Sequence, residues 1–585
     1  MARITFLGAA QTTTGSKHLL TWQGEKREHR LMIDCGMFQG LRELRRKNWD
    51  EFPINPEIID AVVLTHGHLD HVGYLPKLVK EGFDGPIYGT SATLDIAELI
   101  IRDSAHIQVE DAKHALKFHY SKHENPEKNE VPEPLYNEAD VENVVPLFKK
   151  LDYYRSYDLL DGCTVRLYHA GHILGSAFVE VTITENGHPV RIVFSGDVGR
   201  FNQPILQDPE PPIGADYFLL EGTYGDRVHG NTDPLSEIED VVKRTVERGG
   251  MVVIPAFAVG RSQQLLYYLA ELIDSGRIDP IDVFLDSPMA IKVTEMSRKH
   301  QEELDLQTLL GVRESRIFRR PEMHFLESRE ESMTLNDRKK PCIIISASGM
   351  ATAGRILHHL ARRLPDHKNT ILLVGYQGEG TRGRRMLEGE KEIKIHGQMV
   401  QVKAEIVNMS SLSAHADYTE MLPWMKRMVE PTRTFLVHGE PENLQAWKAR
   451  IEKELHWSVT IPSLNDTIEV LPVDKRIARL FRPERGVREV ERVSPEDMVV
   501  APALSVIAGI GASMLPMAIG AEKVYDEPIK AELAKRILAE TSTPQIILLA
   551  EEEDGNVREF KDAVENAGRT VWVLKNQTQM KSTEA

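Results

Sequence analysis

The sequence predicts an α/β protein of several domains, and three observations carry that prediction. First, 585 residues exceed what one hydrophobic core supports, so two to four domains are expected. Second, short apolar runs of strand type, in the first 200 residues and again near 435, end in a histidine or an aspartate. Third, between about 250 and 380 the chain alternates strand, Gly-rich turn and helix, the pattern of a parallel sheet. With 41% hydrophobic and 27% charged residues the chain is composed to bury a core. Three cysteines, Cys35, Cys163 and Cys342, lie far apart, give no disulfide framework and fit a reducing cytoplasm. The N-terminus runs straight into a strand-like stretch without a secretory apolar region. A net charge of −17 argues against a protein that coats nucleic acid, but not against a nuclease, which needs only a local basic groove and metal.

Taken in order, Leu31–Gly36 is an apolar strand ending at Asp34. Ile59–Leu64 is another, and it runs into Thr65-His66-Gly67-His68-Leu69-Asp70-His71, where four potential ligands fall within six residues. Imidazole and carboxylate suit Zn²⁺ or a similar divalent ion, and no thiolate is present to suggest an iron-sulfur cluster. His66 and His68, two apart, point the same way on extended backbone. Asp70 and His71 lie past the bend and can face a second ion, so the stretch suggests two metals. The plain alternative is a polar surface turn, and the density of ligands argues against it.

Tyr74–Glu81 and Ser91–Val109 have helical spacing, and the polar stretch from His106 to Glu138 reads as a helical insertion. His106, His114, His119 and His123 are read there as facing solvent, because none shares the tight spacing of His66 and His68. Val165–Ala177 and Ile192–Gly199 are further β-type runs carrying His172 and Asp197, with His169 read as packing or lining. Phe218–Glu221 is followed by about 180 residues of α/β pattern, including strands at Met251–Phe257, Cys342–Met350 and Thr370–Gln377 and a helix opened by Gly260–Leu266. Gly378 to Gly383 satisfies G-x-G-x-x-G, but the carboxylate that the dinucleotide fold needs after its second strand is not convincingly placed, the following segment turning basic with Arg384, Arg385 and Lys391, so it reads as a turn whose amides could face phosphate. Ser411–Asp417 and Phe435–Glu440 close the series, the second placing His438 at the end of an apolar strand.

His-x-His-x-Asp-His after a strand resembles the signature of the metallo-β-lactamase fold, an αββα sandwich with a dinuclear site at one edge. On that resemblance Asp34 falls on the first motif, where it orients the metal loop through hydrogen bonds. A turn aspartate capping a strand remains open as the other reading. His172 falls on the third motif and Asp197 on the fourth, where a carboxylate with two oxygens bridges cations about 3.5 to 4 Å apart. The order Glu221, long insertion, His415, His438 is similar to the β-CASP nucleases of this superfamily, most closely the RNA-cleaving branch. There Glu221 matches motif A, His415 motif B and His438 motif C, a position where DNA-cleaving members usually carry valine.

The resemblance implies two Zn²⁺ per chain. His66, His68 and His172 would hold one, Asp70, His71 and His438 the other, with Asp197 shared. His415, positioned by Glu221, would be the general acid for the departing alkoxide. The implied function is a zinc-dependent ribonuclease with a two-metal mechanism, endonucleolytic and with 5′ exonuclease activity left open. Two alternatives stand beside it: a hydrolase of small esters or thioesters, and an inactive RNA-processing scaffold.

The organisation expected is a metallo-β-lactamase part at 1–208, an inserted α/β lobe at 209–405, a return segment at 406–473 and a small C-terminal α/β domain at 474–585 of unassigned role. Single-stranded RNA is the expected partner. Arg261, Ser348, Arg355 and Arg382, at predicted helix starts or on Gly-rich turns, are candidates to clasp its phosphates, although arginines there also cap and pair structurally. Met498 to Ala521 is uncharged and long enough to cross a bilayer. Its prolines, Pro502 and Pro516, and the absence of flanking basic clusters favour a buried strand, turn and helix, hence no membrane. With Ile546–Ala550, a helix at Asn556–Ala567 and Thr570–Leu574 it forms a β-α-β pattern, for which homodimerisation and RNA docking are both open. Lys575–Ala585 reads as a frayed tail.

Overall fold

Period-two burial builds two facing sheets. In the first, Leu20, Leu31 and Ile33 point into the layer between the sheets, while Leu19 and Met32 point outward under helices. The structure, a computed structural model, describes residues 2–122, 133–185, 187–212, 214–230, 232–313, 317–375, 377–378, 380–409 and 411–471, with residues 114–122 as backbone only. Beyond these it describes only four short strands.

The first sheet has seven strands in the order Thr467–Val470, Ala2–Phe6, His18–Gln23, Glu28–Ile33, Ala61–Val63, Ile87–Gly89, Phe148–Lys150. The second has seven in the order Val459–Thr460, Arg433–Val437, Tyr217–Glu221, His188–Phe194, Ala177–Glu185, Cys163–His169, Tyr157–Leu160. Each is parallel on one side and antiparallel on the other. Ile4, Phe6, Leu20 and Trp22 from one sheet pack on Val165, Val179, Phe194 and Phe435 from the other. Burying each such side chain stabilises the fold by about 1.5–3 kcal/mol. Helices Leu75–Lys80 and Ser91–Lys122 cover one outer face through Leu75, Leu78, Ala97 and Ile101. Helices Tyr418–Met425 and Pro441–Glu454 cover the other through Met421, Trp424, Leu444 and Trp447. This is the αββα sandwich that the resemblance implied.

The inserted lobe is a six-stranded, all-parallel sheet in the order Met323–Phe325, Val283–Leu285, Ile343–Ser346, Val252–Pro255, Thr370–Leu373, Glu405–Asn408. Val252 and Ile254 pack with helices Pro234–Glu247 and Arg261–Asp274 on one face, and Val253 with helix Ile356–Arg363 on the other. Covered on both sides, its strands read as continuous apolar runs.

Pairing corrects the expected bounds of 209–405. Tyr217–Glu221 lies between His188–Phe194 and Arg433–Val437, so Glu221 stands on the sandwich. Glu405–Asn408 pairs with Thr370–Leu373, so the insert keeps it beyond 405. An apolar run does not record which neighbour it will pair with, which is why the sequence misplaced both edges.

Glu303 of the insert is buried against the sandwich, where it accepts from the Tyr153 hydroxyl at 3.0 Å. The Tyr153 ring in turn stacks on His169 at 3.7 Å, giving His169 the packing role expected of it. Burial raises the Glu303 carboxyl from 4.5 to about 7, against the opposing Tyr153 hydrogen bond. The native state therefore holds an extra proton between these values. The stability this confers is full below pH 4.5 and lost as pH rises through 7, a change on the order of 3 kcal/mol. Glu303→Gln is expected to flatten that slope, so the variant should gain on wild type in thermal denaturation at pH 8 relative to pH 5.

Lys475–Ala585 forms a separate unit. Its described strands are parallel, in the order Lys523–Tyr525, Val506–Ala508, Gln545–Ala550, Thr570–Lys575. Parallel neighbours need a crossover, as the β-α-β pattern expects. Residues 556–567, the tail after 575 and most of 498–521 lie outside the described residues, as do the side chains of His114, His119 and His123. His106 is exposed, 3.5 Å from Glu138. Among the described residues no helix is long and apolar enough to cross a membrane.

Candidate metal centre

Parallel strands deliver functional side chains at their C-terminal ends, and here several end at one edge. Asp34 follows Glu28–Ile33, His66 follows Ala61–Val63, Asp197 follows His188–Phe194, Glu221 ends its own strand, and His438 follows Arg433–Val437. His172 lies in a turn after Cys163–His169, where its backbone N–H donates to Ser176 Oγ at 2.9 Å. Close passage of the loops requires glycine at Gly36 and Gly199. A Cβ on Gly36 would sit 1.6 Å from the Asp70 carbonyl oxygen, and one on Gly199 1.9 Å from that of Gly171. Asp34 and His438 hold left-handed backbone, with φ of 60° and 50°. Each is pinned by a backbone bond, Asp34 N–H to Val63 O at 2.9 Å and His438 N–H to Ala9 O at 2.7 Å.

The donors converge in two sets. His66 Nε2 lies 3.1 Å from His68 Nδ1, which lies 3.3 Å from His172 Nε2. Asp197 Oδ2 is 3.4 Å from His66 Nε2 and 3.5 Å from His172 Nε2. Asp197 Oδ1 faces the other way, 3.4 Å from His71 Nε2 and 3.3 Å from His438 Nδ1, while Asp70 Oδ2 lies 3.4 Å from His438 Nε2. Ligands around a tetrahedral zinc, about 2.0–2.1 Å from nitrogen, stand about 3.3 Å apart, and the four separations given for the first set are of that size. His71 Nε2 and Asp197 Oδ1 are buried with no hydrogen-bond partner, which a cation between them would supply. Burial, followed by the neighbouring His66 charge, lowers His68 to about 3, so its lone pair is free to bind metal. Burial and then His415 likewise hold His172 well below its usual value.

Around these donors Asp34 accepts from Thr65 N–H at 2.8 Å and from His71 Nδ1 at 2.7 Å, which aims Nε2 of His71 at Asp197. Thr65 Oγ1 also lies 3.1 Å from His66 Nδ1. His415 belongs to neither set. Its Nδ1 donates to Glu221 Oε2 at 3.0 Å, and Glu221 is fixed by Val198 N–H. Burial works against the charge on His415, but the Glu221 carboxylate outweighs it and raises the imidazole to about 9.

Comparison with known proteins agrees with this architecture. Family profiles match residues 25–235 (metallo-beta-lactamase superfamily), 262–386 (Beta-Casp domain) and 399–462 (Zn-dependent metallo-hydrolase RNA specificity domain). The chain is 37% identical over 449 residues to "Ribonuclease TTHA0252" of Thermus thermophilus, covering 76% of this chain and 94% of that one. It belongs to the β-CASP family of metallo-β-lactamase-fold ribonucleases. It is also 32% identical over 487 residues to "Transcription termination factor FttA" of Methanosarcina mazei, covering 80% of this chain and 72% of that one. An "RNase J-like protein" of Methanocaldococcus jannaschii is 28% identical over 444 residues, 75% of this chain and 93% of that one.

As a β-CASP protein the chain is a metal-dependent hydrolase, and the ten side chains singled out at its strand ends and loops, Asp34 included, meet at one edge. The phosphate candidates fare differently. Arg355 is taken by Asp286 at 2.8 Å and by the carbonyls of Leu326 and Glu327. Arg382 donates to the carbonyls of Lys394, Ala351 and Thr352, and Ser348 Oγ accepts from Thr352 N–H at 3.0 Å. These three make contacts that brace the β-CASP lobe. Sequence reasoning passed over Thr65, inside the motif it quoted, and His229, which holds the His415 loop by donating to the His415 carbonyl at 2.9 Å. His229 also sits with Asp417 and Glu420, but these are occupied: Asp417 caps a helix and Glu420 pairs with Arg200.

Proposed function

We propose that this β-CASP protein is a zinc-dependent endoribonuclease that hydrolyses phosphodiester bonds of single-stranded RNA at a two-cation centre. The observation that carries the reading is Asp197, whose two oxygens face two separate donor sets, with His415 outside both. His66, His68, His172 and Asp197 would hold one ion, and Asp70, His71, His438 and Asp197 the other. When bound, the pair supplies a nucleophile at neutral pH and positive charge for the developing oxyanion. The protein's own share is the proton. Glu221 takes Nδ1 of His415 and favours its charged form, which leaves Nε2 to protonate the departing ribose oxygen. Relatives named as ribonucleases support RNA as the substrate.

A hydrolase of small esters would use the same ions but has no need of the Glu221–His415 pair or of a lobe of this size beside the centre. An assay of the zinc-loaded protein on labelled unstructured RNA and on a generic thioester separates the two. RNA cut internally with the thioester untouched is the expected outcome, and the reverse preference would refute the proposal.

A further inference from the structure

Arg261 opens the 14-residue helix Arg261–Asp274 and is only 8% exposed. Among the described residues no carboxylate pairs with it. One Nη donates to the Gln264 amide oxygen, and Nε has no partner. Gln264 is tied in turn to Gln203 Oε1 at 3.0 Å, so the guanidinium rests against neutral groups. The side chains that act on it electrostatically are Tyr268, Tyr224 and Arg200, and burial holds it down at about 10. Arg200 is itself neutralised by Glu420 at 3.1 Å. A buried guanidinium with no counter-ion is costly, and one that a protein keeps calls for an anion from outside.

Its surroundings place that anion beside the metal centre. The Tyr224 ring meets His415 edge-on at 5.8 Å. The loop before Arg261 packs on the His172 loop: Ala258 and Val259 share a core with Ile173 and Leu174, and a Cβ on Gly260 would meet Ile173 at 3.5 Å. The N–H groups of Arg261 and Ser262 are already taken by the carbonyls of Val259 and Phe257, so the helix start adds only its positive dipole end.

We propose that the Arg261 guanidinium forms a phosphate subsite, which holds a phosphodiester of the RNA neighbouring the one cleaved at the metal centre. The proposal rests on the RNA reading above. A guanidinium grips two phosphate oxygens at once, so the subsite would fix the register of the strand relative to His415.

The test is Arg261→Met in the zinc-loaded full chain, assayed on an RNA oligonucleotide and on bis(p-nitrophenyl) phosphate, a diester without neighbouring phosphates. On RNA, KM should rise at least about tenfold. The slope of log KM against log salt should fall by about 0.7. Turnover of the small diester should stay within about twofold, and the melting temperature should not drop, since a cation without a partner has been replaced by an apolar side chain. Arg261→Lys, which keeps the charge, should recover most of the salt slope. Equal losses on both substrates, or an unchanged KM for RNA, would overturn the subsite while leaving the RNA reading intact. Wild type that turns over the small diester but not RNA would overturn both.

Discussion

His415→Ala is expected to lower kcat on RNA by about 10²–10⁴-fold while metal content stays at the wild-type level. The expectation follows from where the imidazole stands. It touches the His172 ring, with centroids 4.5 Å apart, yet belongs to neither donor set, and its Nδ1 is committed to Glu221. Losing it should remove proton delivery and little else, so KM should change far less than kcat. The deficit should also shrink on bis(p-nitrophenyl) phosphate, because p-nitrophenolate departs without a proton. Elemental analysis with steady-state kinetics on both substrates checks this. A variant that loses metal, or is equally impaired on both, would show His415 to be a ligand or a structural residue instead.

Asp197→Ala is expected to have the widest effect, because among the described residues this carboxylate alone faces both sets: Oδ2 towards His66 and His172, Oδ1 towards His71 and His438. Its removal takes one ligand from each ion and leaves buried imidazoles facing one another without a negative charge between them. Bound zinc should fall below about one per chain after dialysis, and RNA turnover should drop by more than about 10⁴-fold. Asp70→Ala, which touches one set only, should retain about one zinc. Equal metal loss in the two variants would contradict the division into two sites.

The centre was legible because ligand chemistry is concentrated and local. Four donors within His66 to His71 announce a metal on their own, and the rest stand at the ends of apolar runs, which the sheets then gather at one edge. The parallel sheet of the insert could be read from its alternation. Partner choice could not. Arg355 meets Asp286, 69 positions away, and no local pattern distinguishes that arginine from one left without a counter-ion, such as Arg261. Thr65 was hidden for the same reason: a threonine before a metal loop becomes informative only when Asp34, 31 positions earlier, is seen beside it. The lobe edges were misplaced because Tyr217–Glu221 and Glu405–Asn408 are short β-forming runs that suit either sheet until pairing decides.

Whether one edge of the sandwich holds two cations that cut RNA together is decided by stripping the protein with a chelator and titrating zinc back while following cleavage of a labelled unstructured RNA. Cleavage should be absent without metal and should return, at internal positions, only as the second equivalent per chain binds. Cleavage by the stripped protein, or none with both equivalents bound, would contradict the account.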